Sequence, residues 1–345
     1  DFSKIESGHA SLAAIEFELR LLVEETVELL SEEAYRKGLE MAYWIDPEVP
    51  QTVIGDPHRL RQVLLNLIGN AVKFTDDGEV VVAVRPAAEA TLPGVVEFQI
   101  RDTGIGITPT QRDEIFEDFA QGYASSAREF DGSGLGLAIS RRLVELMGGL
   151  IELADKPKQG SVFRFTARFK ESVGGANPPV DAQLLESVRI LVADPSPTWQ
   201  EILESYLTMR GASVEHADTG RDALRAVDLA HAAGQPIHLV LLDQRLPHGS
   251  ALELPHLIQS DSNLPETRLV GLAPWFQTTE PQPLGETELA GCLAKPIAEL
   301  DLEEVVLRAL GRQTPEDPRS RVAGLEAEIS RRFAGHVPVS YTHLT

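Results

Sequence analysis

Cysteine is almost missing from this sequence. A lone Cys292 among 345 residues cannot build a disulfide framework, and such sparing use suits a reducing compartment. Basic residues are also scarce, with 31 Lys and Arg against 53 Asp and Glu, a formal net charge of −22. That balance argues against a general nucleic-acid or anionic-membrane surface. No apolar run approaches the roughly 20 residues that a spanning helix needs, and no signal peptide is visible. Histidine shows no metal-ligand spacing, and His58, His216, His231 and His238 read as surface or helix-end residues.

What is present is core-forming material, 43% hydrophobic with 24% charged residues, in a chain long enough to predict two domains. The chain opens without Met on "DFSKIESGH", which reads as the tail of a helix already under way. It closes on "VPVSYTHLT", which has no capping logic, so the whole reads as a fragment. Apolar residues at helical spacing predict a helix over Phe17–Arg36, stopped by Gly38, and "LEMAYWI" reads as a strand. "GDPHRLRQVLLNLIGNAVKFT" predicts a second helix, with Asp56 as N-cap and Pro57 at its first position. The strands "EVVVAVRP" and "GVVEFQIRD", a helix Leu135–Met147 and the strands "GLIELAD" and "SVFRFTARF" follow. This segregation predicts an α+β two-layer sandwich, one helical layer on one sheet. "ESVGGANPPVDAQ" is the clearest linker. Beyond it, "RILVA", "ASVEHA", "HLVLLD", "TRLVGLA" and "GCLAKP" alternate with helices, which predicts an α/β doubly wound, five-stranded parallel sheet.

Chemistry concentrates at a few places. Asn66 and Asn70 share one helix face, and Lys73 follows on the same side. Two amide oxygens and an ammonium suit a magnesium ion and phosphate oxygens, although a solvated face has the same composition. In "RDTGIGI" a strand ends at Asp102, whose carboxylate can accept from an exocyclic amine, while Gly104 and Gly106 let a flat base approach. "IFEDF" places Phe116 and Phe119 as core anchors beneath a loop. The run "DGSGLGLAIS" is open to three readings: a tight turn, a dinucleotide loop, or a phosphate-closing hinge. The polar lead-in and G-x-G-x-G spacing oppose the second.

In this order, "NLIGNAVKFT", "DTGIGI", "IFEDF" and "GSGLGLAIS" resemble the asparagine box, first glycine box, phenylalanine box and second glycine box of sensor histidine kinases. The resemblance spans residues 17–170 and implies ATP with Mg2+ under a flexible lid at 117–133. It implies that Asn66, Asn70 and Lys73 serve the metal and phosphates, with Asn70 a metal ligand, and that Asp102, Gly104 and Gly106 take the adenine. It further implies that Gly132, Ser133, Gly134, Leu135 and Gly136 close over the phosphates at a helix N-terminus. Residues 1–16 resemble the end of the family's dimerising hairpin, whose acceptor histidine would lie upstream; His9, in "SGHAS", lacks the acceptor's surroundings.

Residues 188–311, beyond a linker at 171–187, resemble a response-regulator receiver, a flavodoxin-like fold. The resemblance implies Asp243 as phosphoacceptor, Asp194 as a metal ligand and Lys295 in contact with the phosphoryl group, with Pro296 a candidate for a cis bond. The pattern is incomplete: Pro195 replaces a second acid, Ala273 a switch hydroxyl and Cys292 a switch aromatic. These departures imply a degenerate receiver. Residues 312–345 resemble a linker and the lead-in to a second receiver.

Two functions stay open. One is the ATP-binding core of a cytoplasmic portion of a hybrid sensor histidine kinase, whose full protein is a homodimer through the hairpin. Its partners would be a downstream receiver or a histidine phosphotransfer protein, and no nucleic acid. The other is a non-catalytic nucleotide-sensing module with a pseudo-receiver. A related ATPase of the chaperone or topoisomerase type fits the trailing receiver poorly. Glu117, Asp118, Glu129 and Asp131 make the lid acidic beside a polyanion, with Arg128 the nearest cation. Asp131→Gly is therefore expected to tighten ATP binding; nucleotide titration of both forms checks this, and equal affinities refute it.

Overall fold

The computed structural model describes residues 12–87, 92–112, 114–117, 135–154, 159–172, 181–247, 258, 267–274 and 289–312. The first domain runs β1 (Ile15–Glu18), α1 (Leu19–Arg36), β2 (Glu40–Ile45), β3 (Thr52–Gly55), α2 (Pro57–Phe74), β4 (Glu79–Pro86) and β5 (Val95–Asp102). After the short α3 (Pro109–Arg112) come α4 (Gly136–Leu146), β6 (Ile151–Leu153), β7 (Val162–Arg168) and β8 (Lys170–Glu171).

Its main sheet has the order β2-β4-β5-β7-β6, parallel only between β2 and β4. Alternation along β4 and β5 sends Val80, Val82, Val84, Val96, Phe98 and Ile100 into the core. Phe98 stacks on its cross-strand partner Phe165 at 4.6 Å between ring centroids. Against this face lies α2, which buries Leu60, Val63, Leu64, Leu67, Ile68, Ala71 and Val72 at helical spacing. Asp56 caps it, accepting from the His58 and Arg59 N–H groups, with Pro57 inside the first turn as the sequence predicts. At the far end Lys37 Nζ donates to the carbonyls of Val72, Lys73 and Thr75.

One boundary differs from expectation. Residues 15–18 are not helical: β1 pairs antiparallel with β3, which also pairs with β8, forming a small second sheet. Ile15 and Glu16 thus belong to this domain rather than to a preceding hairpin helix, and helix α1 starts at Leu19. The β-branched Ile15 and aromatic Phe17 fit a pleated strand better than a helix start.

The second domain runs β9 (Arg189–Ala193), α5 (Pro197–Thr208), β10 (Ser213–Ala217), α6 (Gly220–Ala232), β11 (Leu239–Asp243), β12 (Arg268–Pro274), β13 (Gly291–Lys295) and α7 (Glu299–Ala309). All five strands are parallel in the order β10-β9-β11-β12-β13, the flavodoxin-like winding. Each strand expected from the sequence is present. The Lys295–Pro296 bond is cis. Leu185, in the expected linker, is buried in this domain's core.

The two domains pack together. Along β2, Met41, Tyr43 and Ile45 face the helical layer, while Ala42 and Trp44 face the other way. Ala42, Trp44 and Val81 join the cluster that holds Trp199, Leu203 and Tyr206 of the second domain. Arg20 spans the seam, donating to Glu299 at 2.9 Å and to the Asp46 carbonyl at 2.8 Å. Arg210 also holds Glu299, at 2.7 Å.

Glu24 lies in this seam, hydrogen-bonded to Tyr43. Burial pushes its carboxyl up to about 7, with Glu28 and Asp301 adding repulsion and Arg20 opposing them. A carboxyl raised on folding favours the folded state below its unfolded pKa, and that contribution is lost as pH rises through about 7. Glu24→Gln keeps an acceptor for Tyr43 and carries no charge. It is expected to stabilise the protein by on the order of 1–3 kcal/mol at pH 8 and by little at pH 5, read by urea unfolding.

Candidate functional site

Two polar clusters emerge. The first lies in the first domain between α2, the end of β5 and the start of α4. Leu67 and Ile68 bury the core side of α2, leaving Asn66, Asn70 and Lys73 half-buried toward the groove. Asn66 Nδ2 donates to Ser140 on α4 at 2.9 Å, which ties the two helices. A Cβ on Gly136 would lie 2.3 Å from Asn66 Oδ1, so glycine is what lets α4 begin so near α2. Leu135, at the N-cap of α4, makes no side-chain cap hydrogen bond, and the first-turn N–H groups of α4 point toward this cluster. Among the described residues no hydrogen bond holds the Asn70 amide, whereas Lys73 Nζ sits 5.4 Å from the Phe74 ring centroid.

The other end of this cluster is built from backbone. Asp102 is 5% exposed, and its Oδ1 accepts from the N–H groups of Gly104 at 2.9 Å and Ser161 at 3.2 Å. Burial pushes this carboxyl up, and those hydrogen bonds with the Arg101 charge oppose the shift. Gly104 lies against the Phe74 carbonyl, where a Cβ would approach to 2.3 Å, so the end of β5 meets the last turn of α2. Gly160, at φ +75°, packs where a Cβ would be 1.9 Å from the Asp102 carbonyl. From Asn66 to Phe74 along α2 is about 12 Å at the helical rise, separating the two ends of the groove. Phe116 meets Phe163 edge-on at 6.2 Å, an anchor at the groove's edge. Gly132, Ser133 and Gly134, together with the acidic residues Asp118, Glu129 and Asp131, lie outside the described residues, as do Phe119 and His9.

The second cluster sits at the C-terminal strand ends of the parallel sheet, where such folds place their sites. Asp194, Asp243 and Lys295 do converge. Lys295 Nζ is 2.6 Å from Asp194 Oδ2 and also bonds Asp243 Oδ2, all three being almost fully buried. The remaining oxygens accept from backbone: Asp194 Oδ1 from Ser196 N–H at 2.8 Å, Asp243 Oδ1 from Arg245 N–H at 2.6 Å. Burial pushes the Asp194 carboxyl up, with Asp243 adding to the shift and Lys295 opposing it. Every carboxylate oxygen of the pair is thus engaged by a protein donor, with Lys295 standing between the two acids. Among the described residues no group of three or more His, Cys, Asp or Glu side chains could hold a metal ion.

Sequence reasoning missed Ser140, Gly160, Ser161 and Arg245. Gly160, Ser161 and Arg245 act through backbone or at an element end that no motif spacing marks, whereas Ser140 closes the "GSGLGLAIS" run and acts through its hydroxyl.

Comparison with known proteins agrees with this geometry. Residues 55–171 match the family of histidine kinase-, DNA gyrase B- and HSP90-like ATPases, and residues 190–307 match the response regulator receiver domain. The class is therefore an ATPase domain followed by a receiver. Virulence sensor protein BvgS of Bordetella pertussis is 35% identical, over 99% of this chain and 28% of that protein. Signal transduction histidine-protein kinase BarA of Escherichia coli K12 is 45% identical, over 48% of this chain and 18% of BarA. The solved structure of full-length ShkA in complex with AMPPNP superposes with a TM-score of 0.70 at 29% identity, covering 92% of this chain and 61% of ShkA. The chain belongs to the hybrid sensor histidine kinases and spans a quarter or so of the length of the BvgS-type relatives.

Removing the cation from the second cluster leaves two buried carboxylates unpaired. Lys295→Met is expected to destabilise the receiver by on the order of 3–5 kcal/mol at pH 7.5. Because the Asp194 carboxyl is already raised, the loss shrinks as pH falls toward 5. Denaturant unfolding at both pH values measures it.

Proposed function

We propose that this chain is the ATP-binding catalytic core of a hybrid sensor histidine kinase in a cytoplasmic phosphorelay. The observation that carries the reading is the groove itself. A buried carboxylate held by backbone N–H groups stands at one end, and a glycine-started helix N-terminus beside Asn66 and Asn70 stands at the other. Asp102 accepts from the adenine amine, with Gly104 and Gly106 keeping side chains away from the ring. Asn66, Lys73 and the residues Gly132 to Gly136 orient the polyphosphate, and Asn70 offers its amide oxygen to a magnesium ion. Such an ion, when bound, would supply charge neutralisation for the polyphosphate. The γ-phosphoryl group passes in line from the β-phosphate oxygen to an imidazole nitrogen. A P–N bond forms, the P–O bond breaks, ADP leaves and the imidazole gives up its proton. The acceptor histidine lies on an upstream dimerising hairpin, so this chain alone does not phosphorylate itself.

The receiver reading has a second branch. Asp243 stands where an acceptor carboxylate is needed, but its oxygens are engaged by Lys295 and Arg245, and Pro195 and Ala273 withhold a metal ligand and a hydroxyl. We read it as a weak or pseudo-receiver; if it does accept phosphate, the next carrier is a downstream receiver or a histidine phosphotransfer protein.

The deciding experiment adds the hairpin in trans with labelled ATP. Phosphohistidine that forms with the wild-type chain and falls at least 100-fold with Asn70→Ala supports the kinase (about 3 kcal/mol of lost transition-state positioning). ATP binding without transfer favours a nucleotide-sensing module instead.

A further inference from the structure

Asp102 and Arg101 are neighbours on β5 and point to opposite faces of the sheet. Asp102 faces the groove; Arg101 faces the receiver. On that rear face Glu40 of β2 and Glu79 of β4 are register partners, and Arg101 lies beside Val81. Arg101 Nη2 is 2.6 Å from Glu79 Oε1. The receiver closes this charged row with two residues. The Thr198 hydroxyl accepts from Arg101 Nη2 at 3.2 Å and donates to Glu79 Oε1 at 3.0 Å. The Arg245 guanidinium pairs with Glu40. Thr198, in the first turn of α5, follows Asp194 by one short loop, and Arg245 stands two residues after Asp243, so the segments that follow both acids touch the ATPase sheet.

The contact reaches the groove through short connections. Glu79 N–H donates to Thr103 Oγ1 at 2.9 Å, and Thr103 N–H donates to the Glu79 carbonyl at 3.2 Å, fixing the residue after Asp102. Arg101 also favours the ionised form of Asp102. We propose that the receiver is a positioning element for base selection: Thr198 and Arg245 clamp the rear of β2, β4 and β5 and thereby hold Asp102 in the orientation that reads adenine. The proposal rests on Asp102 being the adenine acceptor. Guanine presents a carbonyl where adenine presents the amine, so a well-placed carboxylate repels it, and a loosened one discriminates less.

The test titrates ATP and GTP separately, with magnesium, into the 345-residue chain by calorimetry. Thr198→Val and Arg245→Gln are each expected to lower the ATP-over-GTP affinity ratio about threefold, and the pair of changes about tenfold, a fraction of the effect of a lost hydrogen bond to a charged group because the contacts act on Asp102 indirectly. Thr198→Ser keeps the hydroxyl and is expected to retain the wild-type ratio, which a merely structural role for the site would not require. Thermal melts confirm that both domains stay folded; the single variants carry the test should the double variant unfold. An unchanged ratio in the folded variants overturns the clamp while leaving ATP binding intact. A wild-type chain that binds both nucleotides equally overturns the adenine reading itself.

Discussion

Everything in this molecule leans on a sheet whose first two strands, β2 and β4, are covered by apolar packing on both faces. An antiparallel sheet with one helical layer normally leaves its other side to water, and polar residues alternate accordingly. Here Met41, Tyr43 and Ile45 pack under the helices while Ala42, Trp44 and Val81 pack on the receiver's α5. Two hydrophobic layers therefore share one set of strands. The strand ends that carry Asp102 are held from the front by Gly104 and Ser161, and from the rear by the Glu79–Arg101 pair. Hydrogen bonds on the front and an ion pair on the rear thus fix that strand end from both sides.

The two polar clusters face opposite electrostatic problems. In the groove the Asn66 and Asn70 amides, the Lys73 ammonium and the first turn of α4 gather donors on one side, an arrangement suited to an incoming anion. In the receiver countercharge is already present, since Lys295 sits between both acids, Arg245 Nε lies 3.6 Å from Asp243 Oδ1, and Lys295 stands 5.2 Å from the Trp199 ring centroid. One cluster is poised for a ligand; the other is satisfied as folded.

Most of the fold was legible from local pattern. Every strand of the parallel sheet was readable from its apolar run, and the Asp56-Pro57 start of α2 from its capping chemistry. Asp194, Asp243 and Lys295 could be expected together because parallel winding brings strand ends to one edge. The start of α1 was misread because Phe17 fits a helical stripe as well as a strand. The domain seam was missed although a signal existed: "EMAYWI" carries apolar residues on both faces, the mark of a strand covered twice. Ser161 and Gly160 were invisible because they act through backbone atoms supplied from a distant turn, and sequence spacing does not encode that proximity.

Lys37 carries a last consequence. Its ammonium binds three carbonyls at the C-terminal end of α2, the helix that presents Asn66, Asn70 and Lys73. A helix end left bare bears roughly half a negative charge. That charge would stand at the mouth of a groove meant for a polyanion, in a protein already strongly acidic. The lysine silences it from behind. The groove's tolerance for phosphate is thus set partly by a side chain at the end of a different helix, and its surroundings decide the local potential as much as the residues lining it.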